Sequence, residues 1–282
     1  MAETVTTVIA TRNRWHELWA SLPRHRGPVI LVDNASTDGT PDLVARHFGH
    51  VRVIRLPRNA GAVARNTGVE AADTPLVAFA DDDSWWAPGA LRRASGEFAA
   101  APSLGLVNGR ILVGPEEVLD PTCTVMARSP LGTEPGLPGP SLLGFVACGS
   151  IVRRSAFLEA SGFDDVVFFM GEEERLALDL FGLGWRLCYV DRVVAHHHPS
   201  PDRDAASRER RAALRARNEV LTAVLRRSWG QVGRRSLAAW RSGPSGRRGL
   251  AQAVPRLPRA IRARQPVATA VEAAARLVES SP

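Results

Sequence analysis

Residues 29–48 read VILVDNASTDGTPDLVARHF. The run Val29–Val32 is apolar throughout, as expected of a short strand covered on both faces, and the cluster Asp33–Asp38 behind it is a polar turn. Thr40-Pro41-Asp42 then opens a helix through about Phe48, with a capping hydroxyl, a proline at the first helical position and an acid near the positive end of the helix dipole. Strand, polar turn and helix in immediate succession make half of a βαβ unit. The same reading extends outward. Val5–Ala10, Val51–Leu56 and Leu76–Ala80 are further short runs rich in Val, Ile and Leu, and Ala60–Ala72 and Pro88–Ala100 have helical composition, the first weakened by Gly61 and Gly68. The alternation predicts an α/β fold, a mostly parallel sheet flanked by helices.

In such a sheet ligands gather beyond the carboxyl ends of the strands. A polar cluster follows each of the four runs: Thr11-Arg12-Asn13-Arg14, Asp33–Asp38, Arg58-Asn59-Ala60-Gly61 and Asp81-Asp82-Asp83. Turns need not collect acids, amides and arginines together, so one nucleotide-sized polar site is the economical explanation. The acidic triplet, set in Phe79-Ala80-Asp81-Asp82-Asp83-Ser84-Trp85-Trp86, is its strongest element. Carboxylates this close repel one another, and their hard oxygens suit Mn²⁺ or Mg²⁺, which also bridges the phosphates of a diphosphate. On the triplet alone, a solvated acidic turn capping the next helix is an equal alternative.

The 282 residues suit one α/β core with an appendage, and at 45% hydrophobic the chain can bury that core without disulfides. Cys123, Cys148 and Cys188 are odd in number and widely spaced, which favours buried reduced thiols over a disulfide framework or zinc site. No apolar stretch approaches the roughly 20 residues of a membrane span. The opening MAETVTTVIA lacks a secretory pattern, so a cytoplasmic location is expected, at most peripheral to a membrane. There is no lysine: all 36 basic residues are arginine. Residues 1–202 carry 18 of them against 24 acids, whereas residues 203–282 carry 18 against 5 acids. The expected organisation is therefore a catalytic domain over 1–202 and a basic helical extension over 203–282, broken near Gly243–Gly246 and Pro255–Pro258. Arginines interleaved with Leu221, Val224, Leu225 and Trp229 suit an anionic membrane surface, or packing against the acidic domain. Nucleic acid is the least favoured partner, because no recognition motif accompanies the charge.

Val32-Asp33-Asn34-Ala35-Ser36-Thr37-Asp38-Gly39-Thr40, then Asn59-Ala60-Gly61 through Ala64-Arg65-Asn66-Thr67-Gly68, then Asp81–Asp83 resemble, in order, the motifs of family 2 glycosyltransferases. The resemblance continues through Gly149–Arg154, Gly162-Phe163-Asp164, Gly171-Glu172-Glu173 and Tyr189-Val190 leading to His196, and covers about residues 4–200. It implies a GT-A type, Rossmann-like fold and a nucleotide-diphosphate sugar donor with a hydroxyl acceptor. It further implies that Thr11 and Asp33 contact the nucleoside with Arg12 beside them. Arg65 would lie near the diphosphate, Asp81 and Asp82 near the ribose or donor sugar, and Gly149 against that sugar. Asp83 would bind Mn²⁺ or Mg²⁺, with His196 of His196-His197-His198 completing the metal shell ahead of His198.

For the base, the family usually writes Glu-Asp followed by Asp-Leu-x-x-Arg, whereas this chain reads Glu172-Glu173-Glu174-Arg175-Leu176-Ala177-Leu178-Asp179. Aligning the leucines puts Glu173 at the catalytic base. The family's Asp and Arg are exchanged here for Arg175 and Asp179, still four residues apart on one helix face. Favourable placement in a first helical turn accounts for Glu172 or Glu174 but not for all three. The resemblance implies metal-dependent single displacement with inversion. Between the motifs, residues 114–140 hold ten Gly or Pro among 27 and predict an irregular loop on the acceptor side. Phe145–Val152 reads as a strand and Ser155–Ala160 as a short helix. A nucleotidyltransferase is the alternative enzyme, without the glycine-rich, lysine-bearing phosphate loop such enzymes carry. A non-catalytic nucleotide-sugar-binding scaffold is the alternative from another class.

Overall fold

The computed structural model describes residues 5–200 and 205–280. The boundary expected at 202/203 lies outside the described residues. Among the described residues nine strands form one sheet: β1 (Val5–Thr11), β2 (Val29–Asp33), β3 (Val51–Arg55), β4 (Leu76–Ala80), β5 (Ser84–Trp86), β6 (Leu104–Val113), β7 (Val118–Leu119), β8 (Ser150–Arg153) and β9 (Arg186–His197). Their spatial order is β3-β2-β1-β4-β8-β6-β9-β5, with β7 on the side of β6. The first four are mutually parallel; β8 runs antiparallel between β4 and β6, β9 is parallel to β6, and β5 closes against β9 antiparallel. The helices are α1 (Trp15–Ser21), α2 (Thr40–His47), α3 (Ala64–Glu70), α4 (Ala90–Ala100), α5 (Pro121–Ala127), α6 (Arg154–Glu159), α7 (Glu172–Gly182), α8 (Ala205–Arg226), α9 (Trp229–Arg241), α10 (Pro244–Ala253), α11 (Leu257–Arg262) and α12 (Thr269–Ser280).

The period of two in the strands divides the core. Val8, Val32 and Phe79 face one side and pack with Leu106, Phe157 and Phe163, while their neighbours Ile9, Leu31 and Ala80 face the other and pack with Leu18, Val44 and Phe48. Each such fully buried large side chain contributes about 1.5–3 kcal/mol. Register places Thr11 beside Asp33 and Ile9 beside Ala80, so the polar clusters that follow β1, β2 and β4 emerge at one edge of the sheet.

Several local expectations are corrected. The helix expected from Ala60 begins at Ala64, because Gly61 takes φ 62° and the chain passes through a short 3₁₀ turn at Gly61–Val63 first. At α2 the capping acceptor is the Asp38 carboxylate, which accepts from the Thr40 N–H at 3.0 Å and from its hydroxyl at 2.6 Å; Thr40 itself is the first helical residue. The strand expected over Phe145–Val152 starts later, at Ser150, and runs to Arg153, after a 3₁₀ turn at Ala147–Gly149. The 114–140 segment is not wholly irregular. Asp120 accepts from the Thr122 N–H at 2.8 Å and Pro121 sits in the first turn, and together they start α5. The glycines and prolines that gave the segment its irregular composition lie to either side.

The basic tail is packed, not splayed. Leu221, Val224 and Leu225 of α8 bury against Val166 and Val167 together with Ala253 and Ala260, and Val271 and Ala275 of α12 bury against Leu143 and Leu178. Asp179 of α7 takes Arg175 from its own helix and Arg226 from α8, which donates from Nη2 at 3.0 Å. Glu174 takes both Nη atoms of Arg235, from α9, at 2.6 and 2.9 Å. Among the described residues no helix is long and apolar enough to cross a membrane.

Candidate active site

A cleft of about 530 Å³ opens at the carboxyl ends of β1, β2 and β4, lined by Thr11, Arg12, Arg14, Asn34, Arg65 and all three acids of the triplet. The fold brings these side chains together because each follows a buried strand or starts the element after it. The Asn34 side-chain N–H₂ donates to the Gly61 carbonyl at 2.9 Å and its Oδ1 accepts from the Ala60 N–H at 2.7 Å, which fixes the 59–61 turn against the end of β2. Gly61 is required there. A Cβ on it would stand 2.4 Å from the Phe168 carbonyl oxygen, to which the next N–H, of Ala62, donates at 2.7 Å.

The three aspartates have different surroundings. Asp81 Oδ1 accepts from Arg65 Nη2 at 2.7 Å. Asp82 accepts from the Thr11 hydroxyl and from Arg14 Nε, both at 3.2 Å, and burial pushes its carboxyl up to about 7 despite the arginine. It therefore ties β1 and the start of α1 to the triplet, a structural duty in addition to lining the cleft. Burial also acts to raise Asp83, but His197 and Arg14 outweigh it and hold that carboxyl below its ordinary value. His197 Nε2 lies 3.3 Å from Asp83 Oδ1, and Arg14 Nη2 donates to Oδ2 at 3.3 Å.

His196, the histidine favoured by sequence, is turned elsewhere. Successive residues of β9 point to opposite faces, and His196 pairs with Trp85 where His197 pairs with Ser84. The His196 ring stacks on Trp85 at 5.4 Å and its Nδ1 lies 3.2 Å from Glu117; His198 also leans on Trp85, at 4.6 Å. One nitrogen of His197, one oxygen of Asp81 and the Cys148 sulfur lie within 4.8 Å of one another. Full burial raises the Cys148 thiol well above its ordinary value, and a hard cation takes oxygen in preference to sulfur.

Arg65 joins the triplet to α7. It is buried, and while Nη2 holds Asp81 its Nη1 donates to Glu172 Oε1 at 3.3 Å. The three glutamates thus part company. Glu172 is buried on Arg65 and Glu174 is held by the tail arginines. Burial and the adjacent Glu172 carboxylate raise Glu173 above the ordinary carboxylate value. First-turn placement does not explain Glu172, which is an internal ion pair. Glu172, Glu173, Asp33 and Gly149 are not among the residues that line the cleft. Asp33 accepts from the Ser36 N–H at 3.0 Å and keeps its other oxygen buried with no protein partner. A Cβ at Gly149 would meet Ile111 at 2.6 Å, so its glycine is demanded by packing.

Six contributors escaped sequence reading. His197 was reachable through strand alternation, given the register with β5. Arg14 was visible in its cluster but not its reach to Asp82 and Asp83. Phe168 and Phe169, and Ser207 and Arg211 from α8, also line the cleft, and nothing in the sequence pattern ties those segments to it.

The sequence profile of Glycosyl transferase family 2 matches residues 6–160, more than half of the chain. A pre-mycofactocin glycosyltransferase of Mycobacterium tuberculosis is 35% identical over 215 residues, 73% of this chain and 45% of that protein. An N-acetylglucosaminyl-diphospho-decaprenol L-rhamnosyltransferase of the same organism is 31% identical over 219 residues, 64% of this chain and 69% of that protein. The chain thus spans less than half the length of the first of these relatives. Among solved structures, a mannosyltransferase of Pyrobaculum calidifontis in complex with GDP-Man and Mn²⁺ shares the fold at a TM-score of 0.61 and 22% identity, over 99% of this chain and 76% of that one. With the acidic triplet, Arg65 and the 59–68 motif standing around one cleft, the chain belongs to glycosyl transferase family 2.

Proposed function

We propose that this protein transfers a glycosyl group from a nucleotide-diphosphate sugar to an acceptor hydroxyl by single displacement with inversion. The observation that carries the reading is the pairing of a carboxylate set with arginines at the strand ends: Asp81, Asp82 and Asp83 face Arg12, Arg14 and Arg65 across one cleft of nucleotide size. The arginines suit the diphosphate. The buried, unpartnered oxygen of Asp33 beside Asn34 suits a donor from the nucleoside.

The donor set also fits a hard divalent cation. Asp83 and His197, 3.3 Å apart, would hold Mn²⁺ or Mg²⁺, with Asp81 near them. A bound cation neutralises charge that gathers on the departing diphosphate. The GDP-Man and Mn²⁺ of the Pyrobaculum neighbour support this assignment. In the transfer, Glu173 takes the proton from the acceptor hydroxyl. The acceptor oxygen forms its bond to the anomeric carbon as the bond to the diphosphate breaks, and Arg65 faces the leaving group. Burial, which raises Glu173, makes it a stronger base than an exposed glutamate. The rhamnosyltransferase relative is named for a decaprenol-linked substrate, which supports a lipid-linked acceptor.

The test is release of nucleoside diphosphate from a panel of nucleotide sugars with Mn²⁺. Release from one donor, dependent on metal and lost in Glu173→Gln, is expected. Release of pyrophosphate from a nucleoside triphosphate and a sugar phosphate would replace the reading with a nucleotidyltransferase, and donor binding without turnover of any acceptor would replace it with a scaffold.

A further inference from the structure

The tail arginines divide into two sets. Residues 220–271 hold eleven arginines and no acid. Six are spent inside the molecule: Arg226 on Asp179, Arg227 on Glu272 and Glu279, Arg235 on Glu174, Arg259 on Asp165, and Arg256 and Arg264 on backbone carbonyls. The other five, Arg234, Arg241, Arg247, Arg248 and Arg262, are exposed and form no ion pair among the described residues.

Helix α9 carries the division on its own surface. Gln231 and Ala239 are buried and Arg235 reaches inward to Glu174, whereas Trp229, Leu237 and Trp240 are 59%, 48% and 55% exposed. At about 100° per residue the three exposed apolar residues fall within about 80° of one another, with Gly233 between them, Ser236 just outside one edge and Arg234 and Arg241 along the other flank. Arg264 lies over the Trp229 ring at 4.1 Å and Arg247 over the Trp240 ring at 4.9 Å. Val254 and Ile261, in the elements after α9, are exposed as well.

We propose that this outward face of α9, with Arg234 and Arg241 on its flank and Arg247 and Arg264 over its tryptophans, docks on an anionic lipid bilayer. Tryptophan at both ends of an exposed helix face suits the boundary between headgroups and acyl chains, where an indole buries its ring and keeps its N–H solvated. Arginine around that face supplies attraction to anionic headgroups. Charge and chemistry together select lipid over the other occupants. Nucleic acid would answer the arginines but offers little for Leu237. A second copy of the chain would set arginine against arginine. The surface lies on the side of α9 away from Arg235 and needs nothing from the transfer reaction, so the two readings fail separately.

The test uses the full chain with sedimented vesicles of phosphatidylcholine, alone or with phosphatidylglycerol. The protein is expected to pellet with the mixed vesicles and to be released by salt. Arg234→Glu/Arg241→Glu should lower partition at least tenfold, since each arginine near an anionic surface contributes roughly fivefold. Trp229→Ser/Trp240→Ser should lower it at equal charge, which separates insertion from simple attraction. If the charge variant also melts earlier than wild type, Trp240→Ser alone decides. Nucleoside diphosphate release with a water-soluble acceptor should be unchanged in all of them. Equal binding to both vesicle types, or unchanged binding by the variants, overturns the proposal. Preference for DNA over mixed vesicles overturns it in favour of nucleic acid, and a dimer in sedimentation velocity that the charge variant dissociates overturns it in favour of a second copy.

Discussion

Arg65 and Arg235 are both largely buried arginines bridging two carboxylates, and they sit in opposite circumstances. Arg235 joins Glu174 to Glu279, and neither acid retains a buried oxygen without a partner. Arg65 joins Asp81 to Glu172, and Glu172 Oε2 is buried and unpartnered, as is Asp33 Oδ1 nearby in the same half of the molecule. Among the described residues these are the only buried carboxylate oxygens in that state. A buried carboxylate with both oxygens paired serves the fold, and one with an oxygen left over marks where a ligand or a reacting proton belongs. Charge density alone draws the opposite map, because the tail has more arginine per residue than the catalytic half.

The comparison breaks most sharply at α7, where three consecutive glutamates serve different ends. Glu173→Gln should lower turnover by roughly 10²–10⁴-fold with donor affinity retained. In wild type the rate should rise with pH through a limb above the ordinary carboxylate range, because the ionised form is the base and burial raises its pKa; the limb should vanish in the variant. Initial rates at saturating donor across pH decide this. Should Glu174→Gln be the inactive variant, the division between site and scaffold along α7 fails.

Asp83→Asn should abolish Mn²⁺-dependent donor binding by calorimetry with little change in melting, since it removes charge and keeps shape. His197→Ala should do the same and His196→Ala should not. The reverse result would restore the sequence-based choice of histidine. For the two arginines themselves, Arg65→Ala should cost about 3–5 kcal/mol in chemical denaturation, by leaving two carboxylates facing each other in a buried site, and should remove donor binding. Arg235→Ala should cost about 1.5–3 kcal/mol and leave donor affinity at the wild-type value. The smallest expected effect concerns Asn218 of α8, whose side-chain N–H₂ donates to the Phe169 and Met170 carbonyls at 2.5 and 2.6 Å. Asn218→Leu should cost about 1–3 kcal/mol and lower turnover more than donor affinity, measured as kcat against KM.

The parallel half of the fold was legible because its strands are covered on both faces and its turns are polar, so hydropathy alone separates them. The antiparallel half was not. β5 and β7 are three and two residues long, too short for a period to register, β5 was hidden inside the acidic motif, and the strand expected over Phe145–Val152 coincides with β8 only at its end. The residues of the cleft floor were legible as motifs, since each stands directly after a buried strand. Its roof was not, because Phe168, Phe169, Ser207 and Arg211 reach the cleft through packing of the tail, which leaves no local pattern. The histidine beside Asp83 was hidden for a related reason: three histidines in a row are equal in composition, and only the register of β9 with β5 turns His197 rather than His196 towards that carboxylate.

Phe168 and Met170 hold φ at 72° and 73°, left-handed values unfavourable for residues with side chains, immediately before Gly171 at 85°. Asn218 bonds to this turn, Arg217 Nη2 donates to the Val167 carbonyl at 3.2 Å, and Arg256 Nη1 to the Val166 carbonyl at 2.7 Å. The profile match ends at residue 160, ahead of all of them. A chimera that carried the strands and acids of this protein onto a foreign C-terminal half would therefore keep the residues of the cleft floor but lose the contacts that hold the turn leading into α7.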